Sequence, residues 1–286
     1  MQIRPATGDD LGSMKELAGR LQTDPAGAIA YLAVEPAGIE SELIETDWQS
    51  VSALAFDADR LIGWLVADID AELGRVYWLG PFVEAQAWNE VASALYAGCS
   101  ALLAPEVTQQ EMAIDVRFER CQTWATGHGF EAGTASLALV LDSELDGPGE
   151  EFRAVGDDDL GALGVLHEQL FPGTHTTGRQ LVEDRDERHV RLIAEIDGGV
   201  VGYVAFEVQP DGSGYLDFLG VAPHHRRRGL GAQLVRAAVA MLLEQRAAPI
   251  HLTVREDNLG ARALYASLGF NVQRTIRPLR KGFTLT

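Results

Sequence analysis

The sequence predicts an α/β protein made of two tandem copies of one domain, each a mixed, partly parallel central sheet flanked by helices. Three observations predict it. Matched landmarks recur in the same order in both halves, apolar runs around a polar turn mark a hairpin in each, and one strand–helix–strand run demands a crossover. With 286 residues, 47% of them hydrophobic and 23% charged, the chain has the composition of an ordered protein with full cores.

The first element is the short strand Gln2-Ile3-Arg4. After it, Asp9-Asp10-Leu11-Gly12 reads as an acidic turn opening a helix, with the Asp pair favoured by the helix dipole and Leu17 on the apolar face. Phe152-Arg153 and Asp158-Asp159-Leu160-Gly161 repeat this pattern at an offset of 149, with Leu166 in the place of Leu17. Residues 55–67 and 194–206 each read as strand, polar turn, strand, and Gly63 and Gly202 occupy the same place in the two hairpins. Leu79-Gly80 mirrors Leu219-Gly220, and Gly129-Phe130 mirrors Gly269-Phe270, both at an offset of 140.

The repeating unit therefore spans 1–140, the Asp- and Gly-rich stretch 141–150 reads as a linker, and the second copy spans 151–286. Each copy runs strand, helix pair, hairpin, strand, helix, strand, helix, strands. In the second, Gly214–Val221, a helix over 231–244 and a strand over 250–254 imply a right-handed crossover and local parallel pairing.

Twenty-three basic residues face 42 acidic ones, and the net charge of −19 repels phosphate backbones, so nucleic acid is excluded as a partner. The charge is uneven, −17 through residue 148 and −2 beyond it. The longest apolar stretches, such as 237–243, are far shorter than the roughly 20 residues that cross a bilayer. With no membrane span and no basic-then-apolar start, a cytoplasmic location is expected. Cys99 and Cys121 lack metal-like spacing and are read as core thiols.

Chemistry concentrates in one run. A strand ending at Leu219-Gly220-Val221 enters Ala222-Pro223-His224-His225-Arg226-Arg227-Arg228-Gly229-Leu230-Gly231, which opens a long helix. Such a turn aims several backbone amides at one point, its glycines admit a ligand to the main chain, and the helix dipole adds positive potential. Pyrophosphate is the natural guest. An Arg cluster at a helix start opposes the dipole unless an anion compensates it. The run lacks the Lys-Ser/Thr of a P-loop and the three-glycine spacing of a dinucleotide fold.

The spacing Arg226-x-x-Gly229-x-Gly231 after Val221-x-Pro223 resembles the coenzyme A loop of the GNAT superfamily of N-acetyltransferases. Asn258-x-x-Ala261-x-x-x-Tyr265-x-x-x-Gly269-Phe270 resembles that family's later helix motif. The resemblance implies tandem GNAT-like acyltransferase domains, acetyl-coenzyme A as cosubstrate, no metal, and a small-molecule or peptide amine as acceptor. It implies that Leu219, Gly220 and Val221 lie on a bulged strand that splays from its neighbour and offers main chain to the pantetheine amides and the thioester carbonyl. Arg226, Arg227, Arg228, Gly229, Leu230 and Gly231 would hold the pyrophosphate, and Asn258 and Ala261 would also bind the cofactor. Tyr265 matches the family's general acid toward the departing thiolate.

Where several family members carry a strand Glu, this chain has Tyr215, with Asp217 two residues on. Asp217 is the candidate base, with Tyr215 and a water chain as alternatives, and Tyr215 is also a candidate substrate contact. His175, in the turn-rich run 171–178, falls where an acceptor-covering loop is expected and is a candidate substrate contact. In the first copy the loop position carries two Glu, no Arg and no Gly, and Tyr265 is matched by Ala125. That copy reads as degenerate, a layout resembling tandem members of the family such as relatives of mycothiol synthase. A non-catalytic acyl-coenzyme A sensor is the alternative function, and retention of Tyr265 argues against it.

Overall fold

The computed structural model describes residues 1–142, 145, 152–174, 176–183, 189–209 and 211–282. In the first half the elements are β1 (Gln2–Arg4), α1 (Leu11–Gln22), α2 (Pro36–Glu45), β2 (Ser52–Asp57), β3 (Arg60–Asp70), β4 (Arg75–Val83), α3 (Trp88–Ser100), β5 (Gln109–Asp115), α4 (Glu119–Gly127), β6 (Glu131–Ala132) and β7 (Ser136–Leu141). In the second they are β8 (Arg153–Ala154), α5 (Leu160–Leu170), α6 (Gly178–Glu183), β9 (His189–Ile196), β10 (Gly199–Val208), β11 (Gly214–Val221), α7 (Leu230–Glu244), β12 (Ile250–Arg255), α8 (Leu259–Ser267) and β13 (Asn271–Lys281). The element order expected for each copy is the one observed.

The repeat is visible in hydrogen bonds as well as in order. Arg4 grips the Asp10 carboxylate through two bonds of 2.7 Å, and Arg153 grips Asp159 at 2.6 and 2.8 Å. Each carboxylate also accepts from the main chain at the head of its turn, at Thr7 N or Gly156 N, both 2.8 Å. The Asp of each pair that reads as a dipole partner is thus a clamp between strand and turn. Both hairpins carry the same bulge: Ile62 is the extra residue opposite Ala55/Phe56, and Val201 the one opposite Ala194/Glu195. Gly63 and Gly202 follow directly. A methyl group at Gly63 would sit 2.9 Å from Phe82 O, too close for a side chain without a backbone shift, and one at Gly202 would sit a tight 3.1 Å from Gly220 O.

The arginine clamps hold the Asp10 and Asp159 carboxyls well below the usual range, each at about 2. An unfolded Asp titrates near about 3.9. Because the folded values are depressed, their stabilisation is complete above about pH 4 and disappears as pH falls through about 2. Asp10→Ala is therefore expected to flatten the loss of stability between pH 4 and pH 2 in an acid titration followed by denaturant midpoints. A slope equal to that of the native chain would remove the clamp from the pH response.

The compact units do not follow the continuous halves. Met1–Ser136 with Thr275–Thr286 forms one, and Leu137–Arg274 the other. In the first, the strand order is β1-β2-β3-β4-β5-β13, with β13 antiparallel to β5 from Ile276↔Asp115 to Lys281↔Gln110. Leu279 of that strand is fully buried in the first unit's core. In the second, the order is β7-β12-β11-β10-β9-β8, and Leu137, Leu139 and Leu141 of β7 join its core. The boundary at residue 140 thus misplaces both C-terminal strands, because each one's apolar face is buried with the other half's sheet. Of the expected linker 141–150, only 141, 142 and 145 lie within the described residues.

The second unit's sheet is covered on both faces. Leu234, Ala238 and Leu242 recur at helical spacing on α7 and pack with Val204, Leu216 and Leu252 on one side. Leu163, Leu166 and Leu181 of α5 and α6 pack with Tyr203 and Phe218 on the other. Each fully buried leucine contributes on the order of 2 kcal/mol. Cys99 and Cys121 are buried, and burial pushes both thiols up to about 12, so neither is a reactive thiolate. Among the described residues no helix is long and apolar enough to cross a membrane.

Candidate active site

The second unit's site begins where β11 leaves β12. The two strands pair in parallel over Gly214↔Ile250, Tyr215↔His251 and Leu216↔Leu252, and the register ends there although both strands continue. On its other edge β11 pairs with β10, where Ala205 faces Phe218 and Phe206 faces Leu216. Asp217 is therefore the extra residue of a bulge. The bulge also changes which side chains face which helix: a methyl group at Gly214 would meet Leu242 of α7 at 2.9 Å, whereas one at Gly220 would meet Tyr203 Cε1 at 2.5 Å and Leu170 of α5 at 2.9 Å. Gly220 is glycine because the Tyr203 ring lies against it, a packing role within the strand offered to cofactor. Leu219 points instead toward the start of α7, as does Val221, and both lie near the α-carbon of Gly231.

Beyond β11 a 3₁₀ turn, Pro223–His225, leads into the arginines. Arg226 folds back, its Nε donating to Val221 O at 2.8 Å, so this residue braces the strand's end while Arg227 and Arg228 stand exposed. Arg227 and Gly229 have φ of +60° and +84°, and this left-handed pair turns the chain into α7. At Gly229 a methyl group would meet nothing within 4 Å, so the glycine answers the torsion and leaves the approach to the main chain open. The first intrahelical bond of this end is Gln233 N to Gly229 O at 3.1 Å, which leaves the amides of Leu230, Gly231 and Ala232 ahead of the helical ladder. His225 contributes a buried Nδ1 that has no hydrogen-bond partner among the described residues. These groups fit an anion with several oxygens.

Gly231 is the meeting point. A methyl group there would meet Leu264 of α8 at 3.5 Å, Leu219 at 3.8 Å and Val221 at 3.9 Å, so strand, turn and both helices converge at one place. Asn258 is placed there as a helix cap: its side-chain oxygen accepts from Ala261 N at 3.1 Å. The side-chain oxygen of Asn258 and the amide of Ala261 thus hold the start of α8. Two turns on, Tyr265 is 8% exposed with its ring 5.7 Å from that of Phe270, and burial pushes its hydroxyl up to about 12. That hydroxyl makes no hydrogen bond among the described residues.

Tyr215 donates to Thr253 Oγ1 at 3.2 Å, across the last paired step between β11 and β12. This bond sits at the branch of the two strands. His175 lies outside the described residues. Sequence reasoning missed a buried pair beside the site: His167 of α5 and Tyr203 of β10, joined Nδ1 to Oη at 2.6 Å. The only signal for it was a histidine on the apolar face Leu163, Leu166, His167, Leu170 of a helix.

Residues 162–270 match the acetyltransferase (GNAT) family. An acetyltransferase of Pectobacterium atrosepticum is 36% identical over 127 residues, 42% of this chain and 86% of that protein. The chain belongs to the GNAT acetyltransferase family. A mycothiol acetyltransferase of Clavibacter sepedonicus is 29% identical over 279 residues, covering 94% of this chain and 81% of that one. A tandem GNAT protein from the clavulanic acid biosynthesis pathway superposes with a TM-score of 0.71 at 16% identity, covering 100% of this chain and 99% of its own, which shows the same tandem fold.

In the first unit of this GNAT acetyltransferase, aromatic side chains pack together at the starts of the two corresponding helices. β4 parts from β5 after Tyr77↔Glu111, as β11 parts from β12, but α3 then opens on Trp88. The Trp88 ring is buried edge-on against Phe118 at 5.7 Å and Trp124 at 6.1 Å. Arg120 lies over Trp88 at 5.2 Å and over Phe118 at 5.6 Å. Phe118 stands where the second copy has Asn258, and Ala125 where it has Tyr265.

Proposed function

We propose that the second unit transfers the acetyl group of acetyl-coenzyme A to a primary amine of a small molecule or peptide by direct attack, both substrates being bound together. The observation that carries this reading is the convergence at Gly231: a bulged strand splayed from its neighbour, an Arg- and Gly-bearing turn with open amides, and a buried phenol on the adjacent helix. The thioester supplies an activated acyl carbon and a thiolate leaving group. Arg227, Arg228 and the amides of Leu230 and Gly231 would hold the pyrophosphate, and the main chain of Leu219 and Val221 the pantetheine arm and the carbonyl oxygen.

Tyr265 stays protonated at any physiological pH, since its hydroxyl titrates at about 12. Full proton transfer from it to a thiolate of ordinary pKa, about 8.5, would be uphill by roughly 5 kcal/mol. Its contribution is therefore a hydrogen bond to the sulfur as charge develops there. Asp217, on the bulge, accepts the amine's proton directly or through water, and Tyr215 orients the branch of the strands.

Calorimetry with coenzyme A is expected to give one site per chain, because the first copy has no Arg or Gly at the loop position and Ala125 in place of Tyr265. Release of coenzyme A from acetyl-coenzyme A across polyamines, aminosugars, aminoglycosides, a cysteinyl pseudodisaccharide and peptide N-termini is expected to rise with at least one class. Tight binding with no amine-dependent release across the panel would reject amine acetylation. Two equivalent sites would reject the degenerate first copy.

A further inference from the structure

We propose that His167 is a positioning residue for the acceptor amine, pinning the chain at Thr176 against β10 and β11 beside the candidate base; this rests on the acetyl-transfer reading above. The imidazole is fully buried, with Nε2 3.0 Å from Thr176 O and Nδ1 2.6 Å from Tyr203 Oη. A carbonyl can only accept, so Nε2 carries the proton, Nδ1 offers its lone pair, and the Tyr203 hydroxyl donates to it. One tautomer satisfies both bonds. The ring is bracketed by Phe171 at 5.4 Å and Phe218 at 4.7 Å, which hold its plane.

Each end of this connection touches the site. Phe218 is the residue after Asp217 on the bulge, and the Tyr203 ring lies against Gly220. Burial pushes the Tyr203 hydroxyl above its ordinary value, and the charge of Asp217 adds to the shift, so the carboxylate is within electrostatic reach of the pair. At the other end the Thr174 hydroxyl shares its proton between Phe171 O at 3.0 Å and Thr176 O at 3.1 Å, which ties Thr176 to the end of α5. An amine brought to Asp217 would therefore lie next to Phe218, whose ring packs against His167 at 4.7 Å and Phe171 at 5.1 Å.

The fold does not need the pair. In the first unit the matching positions are Ala18 and Trp64, and Trp64 Nε1 donates to Met14 O at 2.9 Å instead. A buried histidine and tyrosine joined to each other and to a loop carbonyl are costly to leave half satisfied, so their presence in the second copy alone sets geometry there.

Three variants separate the roles. His167→Asn can still accept from Tyr203 but loses Thr176; His167→Gln can place an amide donor toward Thr176; Tyr203→Phe removes one hydroxyl. His167→Asn is expected to raise the amine KM about tenfold with the affinity for coenzyme A within about twofold, and His167→Gln to recover most of that loss. Amide hydrogen exchange of 176–181 is expected to speed up in His167→Asn and not in His167→Gln. An amine KM unchanged in His167→Asn, or raised equally in both His167 variants, would overturn the proposal. If His167→Asn does not fold, Tyr203→Phe is expected to raise the amine KM about threefold, and an unchanged value overturns it. Faster exchange in His167→Asn, together with a native chain that acetylates no amine, would leave the pin standing and reject the acetyl-transfer reading and the acceptor role together.

Discussion

Tyr265→Phe is expected to lower turnover about a hundredfold while leaving coenzyme A affinity within a few-fold, a loss of roughly 2.7 kcal/mol confined to the chemical step. The substitution keeps the ring, and the ring is what packs: Tyr265 is 8% exposed, lies in the core with Leu234 and Leu268, and meets Phe270 edge-on. Only the hydroxyl is lost. Because burial holds that hydroxyl at about 12, it remains a donor throughout the assay range and does not shape the pH profile below about pH 11. The alkaline side of a native profile between pH 7 and pH 10 is therefore expected to be unchanged in shape in Tyr265→Phe, displaced downward only. Single-turnover release of coenzyme A and calorimetric affinity measured side by side check this. An unchanged turnover number would make Tyr265 a packing residue.

Gly229→Val is expected to weaken coenzyme A binding by at least about 30-fold, equivalent to about 2 kcal/mol. Gly229 sits at φ +84° as the residue before α7, and a β-branched side chain in that region costs about 1–3 kcal/mol. No neighbour lies within 4 Å of the position a methyl group would take, so overpacking does not contribute. The chain can relieve the strain only by changing the turn, and that redirects Arg227, Arg228 and the amides of Leu230 and Gly231. Gly229→Asn tests this account, since asparagine tolerates the left-handed region; its loss is expected to be several-fold smaller. Equal losses in the two variants would shift the cause from torsion to the bulk of any side chain at the mouth of the turn. Unchanged affinity in Gly229→Val would remove the turn from the binding site.

Much of the site was legible because its demands are local. A left-handed glycine before a helix, arginines ahead of open amides, and a tyrosine seven residues after a capping asparagine all lie within short stretches of chain. What was read less well is the work of individual residues inside those stretches. Asn258 and Arg226 both match a coenzyme A motif, and each also has a local bond: Asn258 Oδ1 accepts from the Ala261 amide and Arg226 Nε donates to the Val221 carbonyl. A motif records that a residue type belongs at a position, and the bond it makes depends on the backbone brought opposite.

The sequence by itself determined the duplication, the two hairpins with Gly63 and Gly202 in the same place, the parallel crossover through α7, and the Arg- and Gly-bearing turn that opens that helix. Side-chain periodicity and backbone torsion decide these, and both are set by residues within a few positions of one another. Tertiary structure alone decided which strand completes each unit, where β11 bulges, and which aromatic rings pack together in the first copy. Leu279 is buried beside strands more than 160 residues earlier, and either half's last strand presents a similar apolar face, so pattern does not say whose sheet it completes. Closing so long a loop costs little more than closing a short one, which leaves the choice to packing. The same holds for Trp88 against Phe118 and Trp124, and for His167 against Tyr203 and Thr176. Each is an ordinary residue of its own helix until the fold supplies the partner that gives it a task.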